Sequence, residues 1–416
     1  MKNIFTSYIK NIKGFDCNIK LYLATVFISN LGFGAFRAVF NLYILSMDMT
    51  PAFLGIVLSL TPFAAAIASI PIGFLAEKIG YKRSFLLVNF VIGSAYFMQI
   101  INPNQTLIMS GAFLAGLAAC GNFIIQLPFV SHYAKENKNQ AYTLMSLVFM
   151  LGNSIGALVG GSIFSWVNKL FSNEALSYRV ILAFFSLIIV AGCIPLFFMD
   201  EDKPTAHKKI SLSPYLKGID VTTVKFAAVE IFIGFGLAFV ALFLNVIFVY
   251  YFNSSLEMFG IMSAVLVIPA IFLLFTGPSI AEKITGLRVV LISRFVSIFL
   301  TLMVVLTQNV FIGSGAYILY RSLLGLSQSL WFAFAISLAT KRSRMATAAW
   351  LEITFQIGLG IAALVGGRLI ASESYLMLGI LSSIATAVSF LLTYLFFGRK
   401  ESQMHKRGKN FSPKTK

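Results

Sequence analysis

A few charged side chains that could bind or transfer something fall inside long apolar runs of this sequence. Glu230 and Glu352 supply carboxylates there, and Arg37 and Arg321 supply guanidinium groups. An ionisable residue inside a membrane is costly, and it usually faces the interior of a bundle or a wet cavity. A buried carboxylate can bind and release a proton, so Glu230 and Glu352 are candidates for proton coupling.

The two arginines suggest a different chemistry. Two guanidinium groups that face one cavity would suit a carboxylate or a phosphate, because their donors match the oxygens of these anions. Each of the four charges has a second interpretation, in which it is paired structurally with a neighbouring helix. The sequence leaves both interpretations open for Arg37, Arg321, Glu230 and Glu352.

The apolar runs around these residues predict membrane-spanning helices. The chain of 416 residues is 58% hydrophobic and 11% charged, against about 25% charged residues in a soluble domain. Runs of about 20 apolar residues are long enough to cross a bilayer as helices. Twelve such runs predict an all-α membrane protein: 21–46, 52–76, 84–101, 105–131, 141–167, 178–199, 225–252, 256–281, 288–307, 310–339, 346–370 and 374–397.

Polar residues recur at helical spacing on the first, fourth, seventh and tenth runs. In the first run, Asn30, Gly34, Arg37 and Asn41 are separated by three or four residues and share one face. This pattern predicts four helices around an aqueous cavity. The predicted cavity-lining residues are Asn30, Arg37, Asn41, Asn122, Gln126, Glu230, Asn245, Arg321 and Gln328.

A charged turn at 73–83 returns in altered form at 277–288. Both copies contain Ala-Glu-Lys-Ile followed by glycine and basic residues, and Ala76 and Ala281 are 205 positions apart. Similar offsets relate other segments, so the repeat predicts two pseudo-symmetric six-helix bundles. The residues of the two turns are Gly73, Glu77, Lys78, Gly80, Lys82, Arg83, Glu282, Lys283, Gly286 and Arg288.

Glycines in the fifth and eleventh runs predict close helix packing. Glycine at four-residue steps lets two helix backbones approach each other in a membrane. The residues concerned are Gly152, Gly156, Gly160, Gly161, Gly366 and Gly367.

The predicted domain organisation follows from the repeat and from a polar linker. It consists of a cytoplasmic N-terminal tail 1–20, a bundle 21–199, a cytoplasmic linker 200–224, a bundle 225–397 and a basic cytoplasmic tail 398–416.

The net charge of +17 is distributed as expected for a membrane protein. With the N-terminus placed in the cytoplasm, 27 of the 32 Lys and Arg fall in the tails and alternate loops, which satisfies the positive-inside rule. This count groups Arg294 with Lys283 and Arg288 at the second turn. Both termini are therefore predicted to be cytoplasmic, in the cell membrane, with the basic tail near lipid headgroups rather than nucleic acid.

The two-bundle plan and the first turn resemble the major facilitator superfamily over nearly the whole chain. The turn is similar to that family's loop between helices two and three, although Glu77 replaces the usual Asp and Tyr81 a basic residue. The resemblance implies alternating access, a cavity lined by helices one, four, seven and ten, and a small-molecule substrate. It also implies that Glu77 contacts the start of helix eleven near 346–350, and Glu282 the start of helix five near 142–145.

The glycine-rich fifth run resembles the antiporter pattern of the same family, with Ala157 where proline is expected. The arginine that drug antiporters of the family carry in helix four is missing here. The resemblance therefore implies a secondary transporter, with the drug/proton antiporter type as one form of it.

The sequence is compatible with three functions. The leading expectation is proton-coupled efflux of an amphipathic or organic compound by a monomer. The alternative is a carrier of organic or phosphate-bearing anions that uses Arg37 and Arg321. A remote third is a receptor or scaffold that does not transport. No enzyme motif, metal cluster or cofactor site is recognised, and the expectation is a protein without catalytic residues, metal or cofactor.

Overall fold

The computed structural model describes residues 15–134, 138–201, 218–340 and 343–409. Twelve helices in this part of the chain are long and apolar enough to cross a membrane. We number the spans α1 to α12 and include short helices that continue a span after a break. They are α1 Cys17–Ser46, α2 Pro51–Ala68 with Pro71–Ile79, α3 Tyr81–Ile101, α4 Gln105–Tyr133, α5 Lys138–Phe171, α6 Glu174–Ala191 with Ile194–Phe197, α7 Val221–Ala241 with Leu244–Val246 and the π-helical turn Ile247–Tyr251, α8 Leu256–Val265 with Val267–Ile284, α9 Gly286–Leu306, α10 Val310–Leu338, α11 Arg344–Ala371 and α12 Tyr375–Lys409.

Side-chain caps set where several spans begin. A side-chain oxygen before the helix accepts a hydrogen bond from a backbone N–H of the first turn, which otherwise lacks a partner. At α7, Asp220 accepts from the N–H of Thr223 at 2.7 Å and from its hydroxyl at 2.8 Å. Burial of Asp220 opposes its ionisation, but the hydrogen bonds from Thr223, Ser343 and Thr222 together outweigh this effect and lower the pKa of Asp220. The residues that cap other spans in this way are Asp16, Thr50, Asn104, Asn173, Ser255 and Asn309.

The helices form two compact units. The first unit contains the described residues up to 201 together with Leu242–Ile268 and Ala363–Ser374. Within it, α1 packs on α5 and α6, α3 packs on α4 and α6, and α2 packs on α4. The helix Leu256–Val265 of α8 packs on α5 in the same unit.

The second unit contains the described residues within Leu212–Ala241, Pro269–Ala362 and Tyr375–Lys416. Within it, α9 packs on α10 and α12, and α7 packs on α12. Its core is aromatic: the rings of Phe226 and Phe397 stack with centroids 4.4 Å apart, and Trp331 contacts both. The predicted division into bundles 21–199 and 225–397 stays a prediction, and most of the linker and the outer parts of both tails lie outside the described residues.

The turn before α3 and its repeat before α9 share one backbone conformation but use different residues. Gly80 has φ 83° and ψ 166°, and Thr285 has φ 75° and ψ 144°. The offset of 205 residues thus pairs Gly80 with Thr285, and Gly286 begins α9 instead. This conformation is open to glycine but strained for a β-branched residue.

We expect Thr285→Gly to raise the melting temperature of the purified protein. Relief of backbone strain at this conformation contributes about 1–3 kcal/mol, and the greater freedom of glycine in the unfolded chain offsets about 0.5–1 kcal/mol of it. The reverse substitution, Gly80→Thr, is the matched control and should lower the melting temperature. A lower melting temperature for Thr285→Gly would contradict the strain at this turn.

Candidate functional site

A buried carboxylate on α7 is the centre of the polar groups in the second unit. The side chain of Glu230 is 2% exposed. Gln328 on α10 donates from Nε2 to both of its oxygens, at 3.3 Å and 3.4 Å. Glu352 on α11 repels the charge of Glu230 and accepts a hydrogen bond of 2.7 Å from Gln356 of its own helix. The second unit therefore brings together three predicted site residues, Glu230, Gln328 and Glu352.

Arg294 on α9 is a further member of this group that the sequence pattern did not reveal. Its side chain is 2% exposed, its guanidinium lies 4.5 Å from the ring centroid of Trp331, and it donates to the hydroxyl of Thr393 on α12. The sequence count grouped Arg294 with the cytoplasmic turn, and the structure instead buries it within the span. The sequence signal that could have revealed it was the series Ser293, Ser297 and Thr301 at four-residue steps beside it, and the structure buries all three.

Glu230 and Arg294 attract each other electrostatically without direct contact. Opposite charges favour the ionised form of Glu230, although no ion-pair contact joins the two groups in the described part of the chain. An isolated charge in an apolar interior costs several kcal/mol. Arg294 thus makes an ionised Glu230 tolerable, while Gln328 holds its oxygens in place.

The predicted polar residues of α4 lie in the first unit and bind side chains of α1 and α3. Asn122 and Asn89 exchange amide contacts at 3.3 Å and 3.4 Å, and the hydroxyl of Ser29 donates to Asn89 at 3.3 Å. Tyr22 donates from its hydroxyl to Gln126 at 3.4 Å. Asn89 is buried and was not predicted, because the third run is mostly apolar and its two amides, Asn89 and Gln99, are ten residues apart and form no polar stripe.

The predicted arginines lie in different units. In the first unit, Arg37 is exposed and lies 5.5 Å from the ring centroid of Phe33. Asn30, three residues before Phe33 on the same helix, donates from its side-chain amide to the carbonyl of Val26 at 2.7 Å. In the second unit, Arg321 is half-buried on α10. A shared anion site between Arg37 and Arg321 stays a prediction.

Asn41 and Asn245 hold α1 against the segment of α7 that follows Ala241, within the first unit. Asn41 donates from Nδ2 to the carbonyl of Leu242 and to Oδ1 of Asn245, both at 2.7 Å. Asn245 donates from Nδ2 to the carbonyl of Ala38 at 2.8 Å. The contact lies beside the break in α7 after Ala241, so it fixes the position of the short segment beyond the break.

We expect Asn245→Ala to destabilise the protein by about 1–3 kcal/mol, because the amide of Asn41 and the carbonyl of Ala38 lose a buried partner. The double variant Asn41→Ala/Asn245→Ala should cost less than the two single costs added, since both members of the pair are then absent. Thermal melting of the purified protein measures both, with the exposed Asn102→Ala as control. Wild-type melting of Asn245→Ala would contradict the role of this contact.

The basic residues of the first turn bind the end of α6. Lys82 donates from Nζ to the carbonyls of Phe197 and Met199, at 2.9 Å and 2.6 Å, and Arg83 forms an exposed ion pair of 3.2 Å with Glu201. Gly73 is half-buried, and Lys78, Lys283 and Arg288 are exposed. The side chains of Glu77 and Glu282 lie outside the described part of the structure, so their contacts with α11 and α5 stay predictions.

The glycines of α5 lie where its backbone touches that of α1. A Cβ atom on Gly156 would stand 2.0 Å from the carbonyl oxygen of Leu31, and one on Gly152 would stand 2.8 Å from that of Phe27. A Cβ atom on Gly160 would likewise contact Ala35 of α1.

The other predicted glycines contact further helices of the same unit. A Cβ atom added to Gly161 would contact the carbonyl of Leu256 on α8, and one added to Gly366 would contact the ring of Phe243. A Cβ atom on Gly367 would contact Gly55 of α2.

Within the described residues, no group of three or more His, Cys, Asp or Glu side chains is placed to hold a metal ion.

Comparison with known proteins identifies a family profile and two relatives. The profile described as Major Facilitator Superfamily matches residues 22–227. The chain is 26% identical over 174 residues to YfkF of Bacillus subtilis (strain 168), described as an uncharacterized MFS-type transporter; the match covers 40% of this chain and 43% of that protein, less than half of its length. It is 24% identical over 335 residues to NarT of Staphylococcus epidermidis, described as a probable nitrate transporter, with 77% and 78% covered.

Solved structures share the fold at low identity. The nucleoside transporter NupG superposes with a TM-score of 0.71 and 14% identity, covering 92% of this chain and 98% of NupG. A bacterial homologue of the human lysosomal transporter Spinster, inward-facing and unoccupied, has a TM-score of 0.70 and 15% identity, with 92% and 98% covered.

Twelve candidate spans and a fold shared with solved transporters define a multi-pass membrane protein. The relatives are named as transporters rather than as enzymes. The profile match over residues 22–227, just under half of the chain, and the relatives named as transporters show that the chain is similar to the major facilitator superfamily. The predicted fold class, an all-α membrane protein with twelve transmembrane helices and this superfamily's fold, is confirmed.

Proposed function

We propose that this protein is a proton-coupled secondary transporter of a small solute, and that Glu230 carries the proton. The observation that supports this proposal is the buried arrangement of Glu230, Gln328 and Arg294 in the second unit. A group that couples protons to transport must gain and lose a proton during the cycle, so both of its forms need to be accessible.

Glu230 has support for both forms. Its ionised form is stabilised by the charge of Arg294 and by two hydrogen bonds from Gln328. Its neutral form avoids the cost of a charge away from water. Since these opposing effects act on one carboxyl, a small rearrangement of Arg294 or Gln328 would shift the proton on or off.

Glu352 is proposed as the second proton-binding group. Its charge and that of Glu230 repel each other, so a proton on one favours ionisation of the other. Glu352 is less buried than Glu230. A relay from Glu352 to Glu230 follows from this difference.

For direction and setting, we propose export across the cell membrane by a monomer with both termini in the cytoplasm. The support for export is the glycine series of α5 against α1, at positions that resemble an antiporter pattern. The support for orientation is the distribution of Lys and Arg along the sequence. An amphipathic or organic compound is the proposed cargo.

An anion carrier is the second candidate. It is favoured by the relative NarT, which is described as a probable nitrate transporter, and by the guanidinium groups of Arg37 and Arg321 on α1 and α10. The receptor or scaffold without transport has no observation in its favour.

The test is transport by the full-length protein in proteoliposomes with an imposed proton gradient. Nitrate, a nucleoside, fucose and the lipophilic cation tetraphenylphosphonium are offered in turn, and substrate movement and internal pH are recorded together. Proton movement that depends on the cation or on a neutral solute supports the proposal. Nitrate movement without obligatory proton movement supports the anion carrier, and movement of none of these probes contradicts the proposed substrate range.

A further inference from the structure

A small cavity lies inside the second unit, between α7, α9, α10 and α12. Its volume is about 10 Å³, which is room for one small ligand of about the size of a water molecule. Its polar lining residues are Arg294, Ser297, Tyr320, Ser327, Thr386 and Ser389. Among the described residues, none that lines the cavity carries a carboxylate.

Several hydrogen-bond donors at this cavity lack a partner. Nε and Nη2 of Arg294 and the hydroxyls of Ser297 and Ser327 are buried without a hydrogen bond in the described part of the chain. The hydroxyls of Thr386 and Ser389, by contrast, donate to backbone carbonyls at 2.8 Å. Buried donors rarely remain unpaired in native proteins. The cavity therefore presents unused donors, two of them on a cation.

We propose that this cavity binds a small inorganic anion of the size of a halide while Glu230 is neutral, and releases it when Glu230 is ionised. The anion accepts hydrogen bonds from Arg294, Ser297 and Ser327. The site itself stands on the geometry of the cavity, and its coupling to Glu230 rests on the proposed function.

The coupling follows from the charge of Arg294. Of the titratable groups around it, Glu230 attracts it through space, Glu352 acts on Glu230, and Tyr320 lines the cavity. An ionised Glu230 supplies the balancing negative charge. When Glu230 takes up a proton, that balance is lost, and Trp331, which stacks on the guanidinium, cannot restore it because its ring carries no net charge. An anion in the cavity then restores neutrality in a region of low dielectric constant.

Proton and anion therefore bind to the second unit as a neutral pair. The position between four helices of one unit, with room for a single small ligand, makes the anion a co-ligand of the proton rather than the transported solute. As a consequence, the second unit should require chloride to bind the proton.

The experiment is thermal melting of the full-length protein in detergent, in sodium chloride and in sodium gluconate of equal ionic strength. Gluconate is too large for the cavity. A ligand that binds only the folded state raises the melting temperature in a saturable way. We expect a chloride-dependent rise of a few degrees for wild type at acidic pH and for Glu230→Gln at neutral and alkaline pH. Wild type at alkaline pH should show no rise, and the exposed Glu257→Gln should behave as wild type.

Two variants test the site itself. Glu230→Gln/Arg294→Gln should melt identically in the two salts. Ser327→Ala, introduced into Glu230→Gln, keeps the cation and should need a higher chloride concentration for the same rise. Saturable quenching of Trp331 fluorescence by bromide, in a Trp166→Phe/Trp350→Phe background, provides a second readout and should disappear with Arg294→Gln.

Equal melting of Glu230→Gln in chloride and gluconate would overturn the anion site. Chloride binding in a protein that never moves protons would leave the site in place and remove the proposed function. Proton-driven transport without any chloride effect on melting would leave the proposed function in place and overturn the anion site.

Discussion

Replacement of Glu230 by glutamine is expected to reduce proton-driven transport to the level of protein-free liposomes. Glutamine keeps the size of the side chain and its contact with Gln328, but it cannot bind and release a proton. Substrate exchange at equal pH on both sides does not require this step, so exchange should persist. The measurement is proton-driven flux against exchange flux in the same proteoliposome preparation.

Two further variants sharpen this result. Glu352→Gln should slow proton-driven flux without abolishing it, because Glu230 retains its proton site. Glu257→Gln is the matched control, since Glu257 is an exposed carboxylate at the start of α8 and should leave both fluxes unchanged. Wild-type proton-driven flux in Glu230→Gln would remove Glu230 from the coupling step, whichever substrate is used.

The fold was largely predictable from the sequence because the bilayer imposes a length and a composition on each span. The apolar runs predicted all twelve candidate spans, and only their ends and internal breaks differ. The break in α7 after Ala241 was not predicted, since Leu242 and Phe243 are as apolar as their neighbours. The strain at Thr285 was also missed, because an alignment by glycine pairs Gly80 with Gly286 rather than with Thr285.

The candidate site was only partly predictable, because sequence spacing relates residues on one helix but not residues on different helices. The pattern selected Glu230 and Gln328, yet it could not show that Gln328 binds Glu230. Arg294 was assigned to the neighbouring turn because it lies six residues from Arg288, and helical geometry takes those six residues well into the span. The pairing of Asn41 with Asn245 likewise depends on how α1 and α7 meet within the first unit.

Replacement of Gly156 by alanine is expected to disrupt the packing of α5 against α1. The added Cβ would lie 2.0 Å from the backbone oxygen of Leu31 and 3.0 Å from the backbone nitrogen of Ala35. Neither backbone atom can move aside by a rotamer change, so the helices must separate. Overpacking of this kind costs about 1–3 kcal/mol, and we expect a melting temperature several degrees lower with a smaller monodisperse fraction on purification.

Gly315→Ala is the matched control for this substitution. Gly315 also lies within a membrane span, in α10, but a Cβ there would meet nothing within 4 Å. Because alanine favours helix over glycine by about 1 kcal/mol, Gly315→Ala should leave the melting temperature equal or slightly higher. Equal melting of the two variants would mean that helix propensity rather than close backbone contact determines the effect at Gly156, and the packing of α1 on α5 would then tolerate a methyl group.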